Sequence, residues 1–247
     1  MIARPILFSG SMIRALLAGT KTQTRRPIKL QTGDTFDERS MVGAIQERRP
    51  VFHTVAGQDV GTKSVLVRCP YGMPGDALWA KETWQAQEAF DTMSPTAIGE
   101  AFEAEHGEPW CPIRYLADGH CDGSVDQWQE SPVGKTRVSI HMPRWASRLT
   151  LPITAVRVER LHDISEADAK AEGIVETRPA DKDGWRHFGV PGMEIDQPTA
   201  ARAYLALWTA INGQASTDAN PWVWTISFEV HRDNVDAYLA ASAKTGG

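Results

Sequence analysis

Lys21, Thr24, Arg25 and Arg26 crowd into one short run, directly after Gly19. A lysine amine becomes a base when burial or a neighbouring cation disfavours its charged form. A threonine hydroxyl becomes a nucleophile when such a base stands beside it. A guanidinium adds a fixed positive charge for an anion or a developing oxyanion. The same four residues could equally form a solvated basic edge. Geometry separates the two readings. In a regular strand Lys21 and Thr24 face opposite sides. They converge only if Lys21 still belongs to the turn after Gly19 and the strand starts around Thr22. Arg25 and Arg26 alternate, so one looks into such a site and the other away.

Glu172 is the second candidate. It stands at the end of a short helical pattern, where the helix dipole is negative and a carboxylate is unfavourable. That misplacement hints at a task elsewhere, although a surface glutamate is the simpler account. The run "LWAKETW" is the third. Trp79 offers a stacking face for a base, as does Trp84, but tryptophans in strands usually fill cores. Glu82 and Lys81 supply an alternative acid and cation. Cys111, His120 and Cys121 follow a spacing that matches no common zinc pattern, with or without Cys69. No phosphate loop, dinucleotide fingerprint or nucleophile elbow is present.

The elements that must position these residues follow from patterning. "RPILF" reads as a short buried strand. "SGSMIRALLAGT" reads as a helix capped by Ser9 or Ser11, with Met12, Ile13, Leu16 and Leu17 inward and Gly19 as its stop. "KTQTRR" enters a strand closed by Pro27. Strands are expected over Lys63–Cys69, Ala77–Trp84 and "TRVSIHMP". A longer one runs over Ser147–Ile164, with Pro152 at an edge or bulge. "ISEADAKAEGI" is a compact helix capped by Ser165, with Asp168 completing a capping box and Gly173 ending it. Residues 175–197 read as a loop. "PTAARAYLALWTAIN" is a helix with Ala200, Ala203, Tyr204, Leu207, Trp208 and Ile211 inward. "NPWVWTISFEV" is a final buried strand. The class is α+β: a small closed or partly closed β barrel with flanking helices, its long strands antiparallel. One domain over 1–233 carries insertions at about 30–62 and 85–135, and 234–247 forms a frayed helical tail.

Composition narrows the partners. The 247 residues carry a formal charge of −5, which disfavours long non-specific nucleic-acid binding. The first thirty residues nevertheless hold six Lys and Arg and no Asp or Glu, a local patch suited to a small anionic ligand or a short nucleic-acid stretch. Three cysteines without close pairs fit a reducing compartment. The opening segment has neither the length nor the flanks of a signal peptide or membrane span, so a cytoplasmic protein without membrane contact is expected.

The spacing G-x-K-x-x-x-x-R, formed by Gly19, Lys21 and Arg26, resembles the signature of the ASCH domain, a relative of the PUA RNA-binding barrel. "RPILFSGSMIRALLAGTKTQTRRP", "CPYGMPGDALWAKETW", "SIHMPRWASRLTLPITAVRVERLHDISEADAKAEGI" and "NPWVWTISFEV" extend the likeness to long ASCH proteins of bacteriophages and prophages. One ASCH branch, the small bacterial N4-acetylcytidine amidohydrolases, carries its Lys and Thr in G-x-K-T-x-T-x-R, which Gly19–Arg26 matches. Its Glu lies in L-T-E-x-x-A-x-x-E, which resembles Ile164–Glu172. The resemblance implies catalytic roles for Lys21 as base, Thr24 as nucleophile and Glu172 as orienting group. Arg26 would steady the oxyanion, while Arg25, Trp79 and Glu82 would contact the substrate. No metal or organic cofactor is implied. The partner would be a modified nucleoside. Two alternatives remain: a non-catalytic reader of RNA or modified nucleic acid, and a ribonuclease. This chain is more than twice the length of the small enzymes, and Gln23 and Arg25 are polar where a buried strand prefers apolar side chains.

Overall fold

Ser9 opens the first helix by accepting the Met12 amide hydrogen, which satisfies one of the unpaired donors of the first turn. Gly19, at φ 71°, ends that helix in the left-handed region where a Cβ would be strained. Both features appear in a computed structural model, which describes residues 1–29, 34–36, 51–56, 63–107, 109–124 and 132–245.

In chain order the first elements are β1 (Ala3–Leu7), α1 (Gly10–Leu17), β2 (Gln23–Pro27), β3 (Asp34–Phe36), β4 (Val51–Ala56), β5 (Lys63–Arg68) and β6 (Ala77–Lys81). Then come β7 (Trp84–Gln85), α2 (Pro95–His106), β8 (Ile113–Tyr115), β9 (Cys121–Asp122) and β10 (Thr150–Arg160). The last are α3 (Glu166–Ala171), β11 (Val175–Arg178), β12 (His187–Gly189), α4 (Ala200–Asn212), α5 (Gln214–Asp218), β13 (Trp222–Phe228) and α6 (Val235–Thr245). The class is mixed α+β. Among the described residues no strand pairing closes a barrel. The chain divides into two compact units. The first comprises Met1–Gly19, Ala77–Pro152 and Val230–Gly247, and the second comprises Thr20–Asp76 and Ile153–Glu229.

In the first unit β6 lies between β1, which is parallel to it, and the antiparallel start of β10. A second ladder, β7–β8–β9, packs Trp84, Ile113 and Tyr115 with Ile98 of α2 and Met142. The expected strand over Ala77–Trp84 is interrupted. At Glu82 the backbone N–H turns to the Met142 sulfur at 3.2 Å and leaves the ladder. "TRVSIHMP" is not a strand. Arg137 makes one bridge to Trp84, and Ser139–His141 coil into a 3₁₀ turn. The tail is a tethered helix rather than a frayed one. The Asn234 side-chain amide donates to the carbonyls of Arg144, Trp145 and Ser147, and Val235 is fully buried.

In the second unit β13 lies between β10 and β2, antiparallel to both. The register of β10 shifts between Ile153 and Ala155, just after Pro152, where the sequence suggests a bulge. β5 is the strand expected over Lys63–Cys69, and it forms a separate antiparallel ladder with β3 and β4, which lie inside the insertion expected at about 30–62; the rest of 30–62 lies outside the described residues. β11 and β12 form a hairpin inside the stretch expected to be a loop. Ile211, expected inward, is 53 % exposed because α4 has reached its last turn there. Ser165 caps α3 by accepting the Asp168 amide hydrogen at 3.1 Å, while the Asp168 carboxylate accepts from Gln23, Arg25 and Arg157. The Glu166 carboxylate accepts the Ala200 and Ala201 amides at 2.9 and 3.0 Å and so caps α4. Among the described residues no helix is long and apolar enough to cross a membrane.

Candidate active site

Lys21 belongs to no strand. It makes a single antiparallel bridge with Glu172, and the next amide, Thr22, donates to the Ala171 carbonyl at 2.8 Å. β2 begins only at Gln23. Lys21 therefore still belongs to the turn after Gly19. Glu172 is the C-cap of α3, and Gly173 follows at φ 96°. The carboxylate that is misplaced at a helix end is turned toward cations. Lys21 Nζ donates to Glu172 Oε2 at 2.7 Å and to the Glu172 carbonyl at 3.0 Å, so the ammonium also satisfies an end carbonyl of the helix. The other carboxylate oxygen, Oε1, accepts from Arg25 Nη1 at 3.4 Å.

All three residues are buried in the second unit: Lys21 is 0 % exposed, Arg25 3 % and Glu172 4 %. Burial pulls the Lys21 amine below its ordinary value of 10.5. Glu172 opposes that through its charge and hydrogen bond, while Arg26 and Arg25 push the same way as burial. Burial also works against the Arg25 charge, but Glu172, Tyr204 and Glu159 more than offset it and hold that guanidinium above its ordinary range. Thr24 is 2 % exposed and pairs with Ile226 of β13. Strand alternation puts Thr24 and Arg26 on the face of β2 opposite Gln23 and Arg25.

Several members of this cluster were not singled out in the sequence. Arg25 also donates to Gln23 Oε1 at 2.7 Å, to Glu159 Oε2 at 2.8 Å and to Asp168 Oδ2 at 3.3 Å. Its Cζ lies 5.7 Å from the centre of the Tyr204 ring. Burial, together with the Glu172 charge, raises the Tyr204 hydroxyl well above its ordinary value. Arg157 closes the outer side on Glu159 and Asp168, at 2.8 and 3.2 Å. Signals existed for some of these. Gln23 is polar at a buried position of a strand, and Arg157 and Glu159 share one face of β10 by alternation.

Trp79 and Glu82 belong to the first unit, where each has partners of its own. Trp79 is 6 % exposed and sits in the core between Pro5 and Thr150. Glu82 receives both arms of Arg148 at 2.8 and 2.9 Å. Arg148 also donates to both oxygens of Asp118, and its Cζ sits 4.0 Å from the centre of the Tyr115 ring. Among the described residues no group of three His, Cys, Asp or Glu is arranged to hold a metal.

The cluster around Lys21 is an expensive way to fill a protein interior. Apolar side chains of similar volume usually stabilise as well as or better than a buried ion pair, while an unmatched buried charge is costly. A desolvated lysine held by a carboxylate and flanked by arginines is an arrangement found at functional sites and also in structural ion-pair networks. Comparison of the chain with family models, curated proteins and solved structures finds no match.

Proposed function

We propose that this chain is an amidohydrolase that removes the acyl group from N4-acylated cytosine nucleosides, on an ASCH-like fold of the PUA type. One observation carries the reading. The fully buried Lys21 is hydrogen-bonded to Glu172, and both stand at the positions where the N4-acetylcytidine amidohydrolase motifs place their reactive groups. Burial lowers the affinity of Lys21 for a proton, which supports a role as base.

In this reading neutral Lys21 takes the Thr24 hydroxyl proton as the oxygen attacks the acyl carbon. The carbonyl electron pair moves onto oxygen, where Arg26 steadies it. Collapse breaks the C–N bond. Lys21 returns the proton to the exocyclic nitrogen, and the nucleoside leaves. A water that Lys21 deprotonates then attacks the acyl ester on Thr24; the acyl C–O bond to Thr24 breaks, the acid leaves, and Lys21 returns the proton to Thr24 Oγ. Glu172 orients the amine throughout. Lys21 has no exposed surface, so this reading requires the site to open for substrate.

The test is hydrolysis of N4-acetylcytidine by the wild-type protein and by Thr24→Ala, with fold checked by circular dichroism. Loss of the nucleophile should cost at least ~10²-fold in kcat. A folded Thr24→Ala protein with the wild-type rate refutes the assignment. Oligonucleotide binding that weakens steeply with salt, without turnover, would instead favour a nucleic-acid reader.

A further inference from the structure

The position between Thr24 and Arg26 is open in the motif G-x-K-T-x-T-x-R, yet here it holds Arg25, whose side chain is fully buried. The Arg25 fork is divided among four acceptors. Nη1 reaches Gln23 Oε1 and Glu172 Oε1, and Nη2 reaches Glu159 Oε2 and Asp168 Oδ2. Lys21 takes the remaining oxygen of Glu172. One buried carboxylate thus serves two buried cations. A guanidinium does not release its proton in a protein, whereas a buried ammonium can.

We propose that Arg25 is a positioning residue for Lys21: it fixes Glu172 through Oε1, so that Oε2 faces the amine, and its permanent charge makes Lys21 the cation of the pair that gives up a proton. This rests on the reading of Lys21 as the base. The surroundings agree from every side. Arg25 and Arg26 on β2 oppose a charged amine, and Glu172 at the end of α3 favours it. Glu159 and Arg157 on β10, Asp168 on α3 and Tyr204 on α4 bear on Lys21 through Arg25. Glu159 and Asp168 are both about a fifth exposed and shared with Arg157, so they compensate Arg25 only in part.

The experiment is a pH titration of Lys21 by NMR in protein labelled with ¹³C-lysine, the resonance being assigned by its loss in Lys21→Arg. In Arg25→Met the midpoint should rise by about one unit or more, because a like charge is gone and Glu172 is left to Lys21 alone. Arg25→Lys keeps the charge and should bring the midpoint back toward wild type. Glu159→Gln changes a partly exposed position, leaves the Lys21–Glu172 bond in place and should move the midpoint down. It provides the test if Arg25→Met does not fold. An unmoved midpoint in folded Arg25→Met, or in Glu159→Gln, overturns the proposal. The titration uses no substrate, so it stands or falls apart from deacylation. A shifted midpoint without any turnover would sink the amidohydrolase reading and keep the role of Arg25. If N4-acetylcytidine is turned over, the rising limb of the pH–rate profile should move to higher pH in Arg25→Met.

Discussion

Removing the charge of Glu172 should hurt the fold more than removing the charge of Lys21. At a pH where Lys21 is protonated, Glu172→Gln keeps the volume but takes the carboxylate from the buried ammonium and leaves Arg25 to the partly exposed Glu159 and Asp168. Breaking a buried pair so that a charge is stranded costs about 3–5 kcal/mol. Lys21→Met is milder. Glu172 keeps Arg25 as counterion at 3.4 Å, and what is lost is the amine with its bonds to Oε2 and to the end carbonyl. A charge-assisted hydrogen bond contributes about 1.5–3 kcal/mol, and the methionine recovers part of that through apolar burial. Native-state hydrogen exchange suits a chain of two compact units, because it reads β2 and β13 directly and does not assume one transition. Amides of the Gln23–Pro27 and Trp222–Phe228 ladder should lose about 3–5 kcal/mol of protection in Glu172→Gln and roughly half that in Lys21→Met. Equal losses, or a loss below about 1 kcal/mol in Glu172→Gln, would refute the picture of one desolvated carboxylate between two cations.

Glu166→Gln should weaken α4 by about 1 kcal/mol, since a neutral acceptor replaces the carboxylate on the Ala200 and Ala201 amides. Burial works against the Glu166 charge, but those two amides outweigh it and hold the carboxyl below its ordinary 4.5. The sign follows: the contribution is complete above pH 4.5 and is lost as pH falls through the lower folded value. Denaturation of wild type and variant should therefore differ at neutral pH and converge on acidification; a gap that persists in strong acid contradicts the assignment. Gly99→Ala should destabilise by about 1–3 kcal/mol, because the new Cβ would lie 2.5 Å from Nε1 of the Trp145 indole. A thermal melt unchanged from wild type would show that Trp145 moves aside freely.

Local chemistry made some of this structure readable in advance. Ser9 and Gly19 bracket α1, Ser165 and Gly173 bracket α3, and both pairs act through bonds to near neighbours. Lys21 drew notice by crowding with other polar groups just after Gly19, Arg25 and Glu172 as the wrong residue types for their places, and the three meet at one site. Glu159 and Asp168 carried no such mark, since they join Arg25 only through pairing of β2 with β13 and β13 with β10. Tyr204 looked like an ordinary inward residue of an amphipathic helix; nothing local says that its ring faces a guanidinium. The β11–β12 hairpin was hidden because Val175 is the one apolar residue of β11 and the rest of that strand is exposed, so no apolar alternation marks it. "TRVSIHMP" erred the other way. Its alternation suits a strand, but Val138 and Ile140 are exposed where the chain coils.

The most direct test of the account is turnover itself. Purified protein is incubated with N4-acetylcytidine and with N4-benzoylcytidine, and release of cytidine is followed by chromatography, with Lys21→Ala in parallel. The account predicts cytidine from at least one substrate with wild type, and a rate at least ~10²-fold lower with the variant. No cytidine from either substrate with a folded wild-type protein, or equal rates with Lys21→Ala, would contradict it.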